Sequence, residues 1–219
     1  MSGDSAERGG IDGLEAQIAL ESGPLAWLRA RSTRERTILS IAISAALPAA
    51  VALTRLRQDW SVFPSGRMVF DLLLLCGALL ALLSLPLRPL HRPPLSWPLI
   101  ATLVGGAVAT TFVVAAWPQA HELYPESLLG VDADFASRAS GCFRTGVLWA
   151  AAVSLGLFLI SRKSSAFPIA LVQAALVAII ALQLHCPLVS PKHLVAGHST
   201  VALAGLLVAL LLMARRSRR

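Results

Sequence analysis

The chain has 219 residues, 56% of them hydrophobic and only 14% charged, with a mean hydropathy of +0.69. Soluble domains carry about 25% charged residues, so a water-exposed globular fold is excluded. The net charge of +7 does not mark a nucleic-acid-binding face either. The basic residues lie in short groups beside apolar runs, where they fit topology signals and anionic head groups.

Residues 1–37 are expected to form a cytoplasmic N-terminal tail. No cleavable signal peptide is read there, because the first residues are polar and acidic and the first apolar run begins near Ile38. Asp4, Glu7, Asp12, Glu15 and Glu21 face only Arg8 in the first 22 residues. Ile11, Leu14 and Ile18 recur at i, i+3 and i+7, the spacing of one helical face. Asp12 with Glu15 resembles a capping box, and Ser22-Gly23-Pro24 ends the segment. One reading is a docking peptide that presents Ile11, Leu14, Glu15 and Ile18 to the groove of a basic partner. The other is a solvated tail or a helix lying on the lipid surface, since so short a helix is marginal alone in water.

A helix that crosses a bilayer needs about 20 apolar residues. Six runs approach that length: Ile38–Thr54, Met68–Leu87, Trp97–Trp117, Gly146–Ile160, Ala166–Leu184 and Leu194–Ala214. The first and fourth are short, so their ends are expected to extend into flanking residues. The runs are continuous rather than alternating, which favours helices over barrel strands. Trp97 and Trp117 bracket the third run, as interfacial aromatics do. The predicted fold is an all-α polytopic bundle of six transmembrane helices over 38–214, closed by a basic cytoplasmic tail at 215–219. Of the 19 Lys and Arg residues, 13 fall in the N-terminal stretch, the even-numbered loops and the C-terminus. That bias places both termini inside. No convincing internal repeat is present, which weakens an inverted-repeat transporter reading.

Ionisable groups inside a span are costly and face the bundle interior or the interface. Asp71 and His198 are such groups, with Arg67 a further partner for either, and simple snorkelling explains Asp71 equally well. Gln173 and Gln183 are read as interhelical hydrogen-bonding residues, and Cys76 as an inert packing residue. Cys142 and Cys186 fall at the same, outer membrane face, with His185, His193 and His198 near the second. A structural disulfide, a redox or metal sensor built from these five residues, and coincidence all stay open. Thiolate and imidazole suit zinc or copper, but the spacing matches no compact metal motif. A dithiol oxidoreductase is disfavoured because there is no Cys-x-x-Cys pair. Gly197-His198-Ser199 hints at a lipid-phosphatase motif, but the second His that such chemistry needs never follows.

Three stretches together carry a family resemblance: Leu14…Pro24-Leu25…Arg29…Arg36, Gly141-Cys142, and His185-Cys186-Pro187…His193-Leu194…His198. The chain resembles the NrsF-like family of six-span membrane anti-sigma factors. Its general plan is also similar to that of the membrane anti-sigma factors of light-induced carotenogenesis in myxobacteria. The resemblance implies a non-enzymatic regulator in the bacterial inner membrane that makes no direct nucleic-acid contact. The tail residues would hold an extracytoplasmic-function sigma factor at the bilayer, and the outer cysteines would sense or stabilise. A small transporter using Asp71, Gln173 and His198, and a membrane thiol redox protein, are the alternatives.

Overall fold

Ser32 opens the first helix with a reciprocal capping box. The Glu35 N–H donates to Ser32 Oγ at 3.3 Å, and the Ser32 N–H donates to Glu35 Oε2 at 2.8 Å. Two N-terminal amides that would otherwise be orphaned are satisfied this way. The helix therefore starts at Thr33, before the apolar run, and continues to Thr54 (α1, Thr33–Thr54). Arg31 adds an ion pair to Glu35 at 3.1 Å.

The computed structural model describes residues 27, 31–57, 65–83, 96–116, 135–161, 167–188 and 190–217. The tail residues Ile11, Leu14, Glu15 and Ile18, and Trp117, lie outside them, as does the side chain of Trp97. After α1 come α2 (Ser65–Leu83), α3 (Trp97–Ala116), α4 (Phe135–Ile160) and α5 (Phe167–His185). The last helix, α6, runs over 191–217 in three parts: an α-helical turn Pro191–His193, a π-helical stretch Leu194–Ser199, and an α-helix Thr200–Ser217. Among the described residues all regular structure is helical, and six helices are long and apolar enough to cross a membrane.

The fourth helix departs most from the sequence expectation. It begins at Phe135, eleven residues before Gly146. The extra turns carry Ser137, Arg138, Ser140, Gly141 and Arg144, which lower hydropathy without opposing helix formation. Cys142 is consequently a helical residue rather than part of the preceding loop.

α5 is the axis of the bundle. Within its apolar window 78% of residues are buried, against 17% for α1. α4, α6, α1, α2 and α3 all pack against it, so it is apolar on every side, as a central helix must be. Val172, Ala174, Leu176, Val177, Ala178 and Leu182 are fully buried along it. The outer helices turn Leu73, Leu80, Leu148, Leu155 and Leu211 outward. In water such a surface would be a liability, but it matches lipid chains.

Helices in lipid gain little from burying leucine against leucine, so close approach and polar contacts matter more. A Cβ at Gly146 would sit 2.7 Å from Val201 Cγ2 and 2.9 Å from Leu182 Cδ1, which shows how tightly α4, α5 and α6 meet. Gln173, fully buried on α5, reaches Ser44 Oγ at 3.3 Å and Ser40 Oγ at 3.4 Å on α1. Arg67 and Asp71 form an ion pair at 2.8 Å on α2, and an Arg67 guanidinium nitrogen also donates to the Val114 carbonyl of α3 at 3.2 Å. Of the partners considered for Asp71, it is thus Arg67 and not His198 that meets it. Cys76 is exposed on the outer surface of α2, a correction to its reading as a packing residue, because the helix turns that face away from its neighbours.

Gly146→Leu should destabilise the bundle by about 1–3 kcal/mol, the usual cost of overpacking. Gly77→Ala, which adds its methyl where nothing lies within 4 Å, should leave stability nearly unchanged. Thermal unfolding in detergent, followed by size-exclusion chromatography, checks both.

Candidate functional site

The end of α5, the start of α6 and the early turns of α4 converge on one small polar centre. α5 ends at His185, and the Cys186 N–H still donates to the Leu182 carbonyl at 2.8 Å. The chain then turns through Pro187 to Ser190, whose hydroxyl caps the next helix by accepting from the His193 N–H at 3.2 Å. Pro191 follows at the first helical turn, where its missing N–H costs nothing.

The π-helical stretch then decides which residues share a face. In an α-helix, residues five apart point about 140° away from each other. Over Leu194–Ser199 the turn is widened, and the Thr200 N–H donates to the Val195 carbonyl five residues back. His193 and His198 are thereby brought together, with ring centroids 5.5 Å apart and planes at 74°. The Thr200 hydroxyl donates to the Ala196 carbonyl, and the Ser199 hydroxyl donates to the Thr111 carbonyl of α3 at 2.9 Å. These bonds fix the stretch against its neighbours. Single π turns inside α-helices often mark functional positions.

Gly197 lets α4 approach. A Cβ there would lie 3.2 Å from both the Ala139 carbonyl oxygen and Cys142 Cβ. With no side chain in the way, Cys142 Sγ stands 3.7 Å from Cys186 Sγ, and Cys186 Sγ stands 3.4 Å from His193 Nε2. The ligand atoms of Cys142, Cys186, His193 and His198 all lie within 4.8 Å of one another. His193 and His198 are each 1% exposed and Cys186 5%, while Cys142 is half-buried at the edge of the centre. Among the described residues neither ring nitrogen of His198 has a well-aligned hydrogen-bond partner, although the Cys142 sulfur lies beside the ring. A buried imidazole of that kind is uncommon and costly.

The two sulfurs are well beyond the disulfide bonding distance of about 2.05 Å, and both cysteines are free thiols. The neighbouring Cys142 sulfur and burial both push the Cys186 thiol up from its ordinary range, while the Arg57 guanidinium works in the opposite direction. Arg57 belongs to the segment that leaves α1, which is stitched to the end of α5. Its N–H donates to the Leu184 carbonyl at 2.9 Å, and its guanidinium donates to the Pro187 carbonyl at 3.3 Å.

Of the five Cys and His residues singled out from sequence, four come together and one does not. His185 points away, with Nδ1 2.9 Å from the Arg55 carbonyl oxygen and its ring edge-on to Trp149. It is removed from the candidate ligand set because it lies on the α1 side of the α5 terminus. Sequence reasoning missed the part that Gly197 and Arg57 play at the site, and the π turn. The Ser190-Pro191 start signal was legible, but no residue pattern announces a π turn. The chain matches no protein-family model, no curated protein and no solved structure.

Mild oxidation should join Cys142 to Cys186 within one chain, since only a small approach of the sulfurs is required. Maleimide-polymer labelling before and after oxidation, read as gel shifts, should show two thiols lost and Cys76 retained. Continued labelling of all three would contradict the geometry. Gly197→Leu should suppress the bond by forcing α4 away from α6.

Proposed function

We propose that this chain is a membrane-bound anti-sigma factor of the bacterial inner membrane. Its N-terminal tail, through Ile11, Leu14, Glu15 and Ile18, holds an extracytoplasmic-function sigma factor away from core polymerase. Both termini lie in the cytoplasm in this reading, which the excess of basic residues on that side supports. A metal, oxidative or other envelope signal at the outer Cys/His centre changes the bundle and releases the partner. The protein works by reversible binding and tethering, without catalysis and without touching nucleic acid.

The observation that supports this reading best is a convergence. Two of the three stretches that carry the resemblance, around Cys142 and from Cys186 to His198, meet in one buried centre. A buried polar cluster in a bundle end is suited to sensing, because a change in its chemistry alters helix packing directly. The transport alternative draws less support. Asp71 pairs with Arg67, Gln173 with Ser40 and Ser44, and His198 with the cluster, so the three residues serve separate contacts and do not line one path. The thiol separation of 3.7 Å favours, as a second reading, a membrane thiol redox protein. Such a protein would lose its activity in both Cys142→Ser and Cys186→Ser.

Affinity purification from detergent-solubilised membranes tests the proposal. The full chain should recover a sigma factor, and a chain lacking residues 1–22 should not. Leu14→Asp with Ile18→Asp should abolish recovery while membrane insertion persists. Undiminished recovery by the double variant would remove the docking role from the tail.

A further inference from the structure

The Cys/His centre is held by Cys142–Cys186 and Cys186–His193 hydrogen bonds, and its donor set and spacing also match a metal site. Two sulfurs and two imidazole nitrogens, from three separate elements, converge within 4.8 Å. Among the described residues, neither nitrogen of the buried His198 has a well-aligned hydrogen-bond partner. In a tetrahedral site with metal–sulfur bonds of about 2.3 Å, two sulfurs stand about 3.8 Å apart, and a sulfur and an imidazole nitrogen about 3.6 Å. The corresponding separations here are 3.7 Å for Cys142 Sγ to Cys186 Sγ and 3.4 Å for Cys186 Sγ to His193 Nε2.

We propose that Cys142, Cys186, His193 and His198 form a tetrahedral Cys2His2 site for a zinc ion. The donor set is the borderline-soft S2N2 combination that selects zinc over magnesium, calcium or manganese. Two thiolates neutralise the dication, and the cation in turn removes the repulsion that two adjacent thiolates would suffer. Four protein ligands leave no open position, so the site is of the structural type and not the catalytic type. The ion ties the fourth helix, the α5–α6 turn and the π turn into one unit. The site holds whether or not the tail binds a sigma factor, and its test does not involve a partner.

The test uses the full chain in mild detergent with a tag free of histidine. Zinc content and competition against a chromophoric chelator give stoichiometry and affinity, and cobalt substitution reports ligand geometry. The expected result is about one zinc per chain, as a single closed site requires. Cobalt should show the intense visible bands of tetrahedral thiolate coordination. His198→Asn should weaken zinc binding at least tenfold, Cys142→Ser should weaken the thiolate bands by about half or more, and His185→Asn should leave both readouts unchanged. Added zinc should raise the unfolding temperature of the wild-type chain and protect Cys142 and Cys186, but not Cys76, from alkylation. This protection keeps the proposal testable even where a ligand variant folds poorly. Octahedral cobalt, binding equal in wild type and His198→Asn, or alkylation of all three cysteines at the same rate with and without zinc would each overturn the site.

Discussion

The π turn at Leu194–Ser199 is the constraint on which the functional end of this bundle depends. A regular α-helix through the same residues would send His193 and His198 to different faces. Widening the turn aligns them and also delivers Gly197 to the surface of α4. That contact admits Cys142 to within 3.7 Å of Cys186. One local departure from helical regularity thus sets the two histidines and the approach of Cys142, while the end of α5 places Cys186. Hydrogen bonds from Ser199 to α3 and within the turn hold it in place.

The rest of the structure follows from the lipid solvent. Backbone polar groups must be satisfied within each segment, so the spanning elements are helices. Apolar contact alone does not specify how they associate. Close approach at Gly146, Gly156 and Gly205 does, together with a few buried polar pairs. α5 sits at the centre and carries the core, and its end delivers Cys186 and, on the other side, His185. Stability and site geometry therefore share an element. A change in the centre is felt where the fourth, fifth and sixth helices pack against each other.

Much of this was legible in the sequence. Six apolar runs correspond to six helices because hydropathy in lipid is nearly a direct readout of span position. The ends were less legible. Ser137, Arg138 and Arg144 lowered the hydropathy of the first turns of α4, although nothing there opposes a helix. The capping box Ser32…Glu35 was present in the residues and would have set the start of α1. At the site, Cys142, Cys186, His193 and His198 were singled out by residue type and membrane face. Their assembly depended on a π turn that no periodicity reveals. His185 was included for proximity in sequence, yet it faces the segment after α1. The tail residues Ile11, Leu14, Glu15 and Ile18 lie outside the described structure, so their role stands on spacing and resemblance.

The most direct measurement of the central claim is to insert one alanine between Leu194 and Val195 and compare cobalt binding and thermal unfolding with the wild-type chain. The insertion widens the His193–His198 spacing by one residue and rotates one ring away from the other by about 100°. The account predicts a folded bundle that has lost tetrahedral thiolate–imidazole coordination. A folded bundle with an unchanged cobalt spectrum would show that the spacing across the π turn does not assemble the centre.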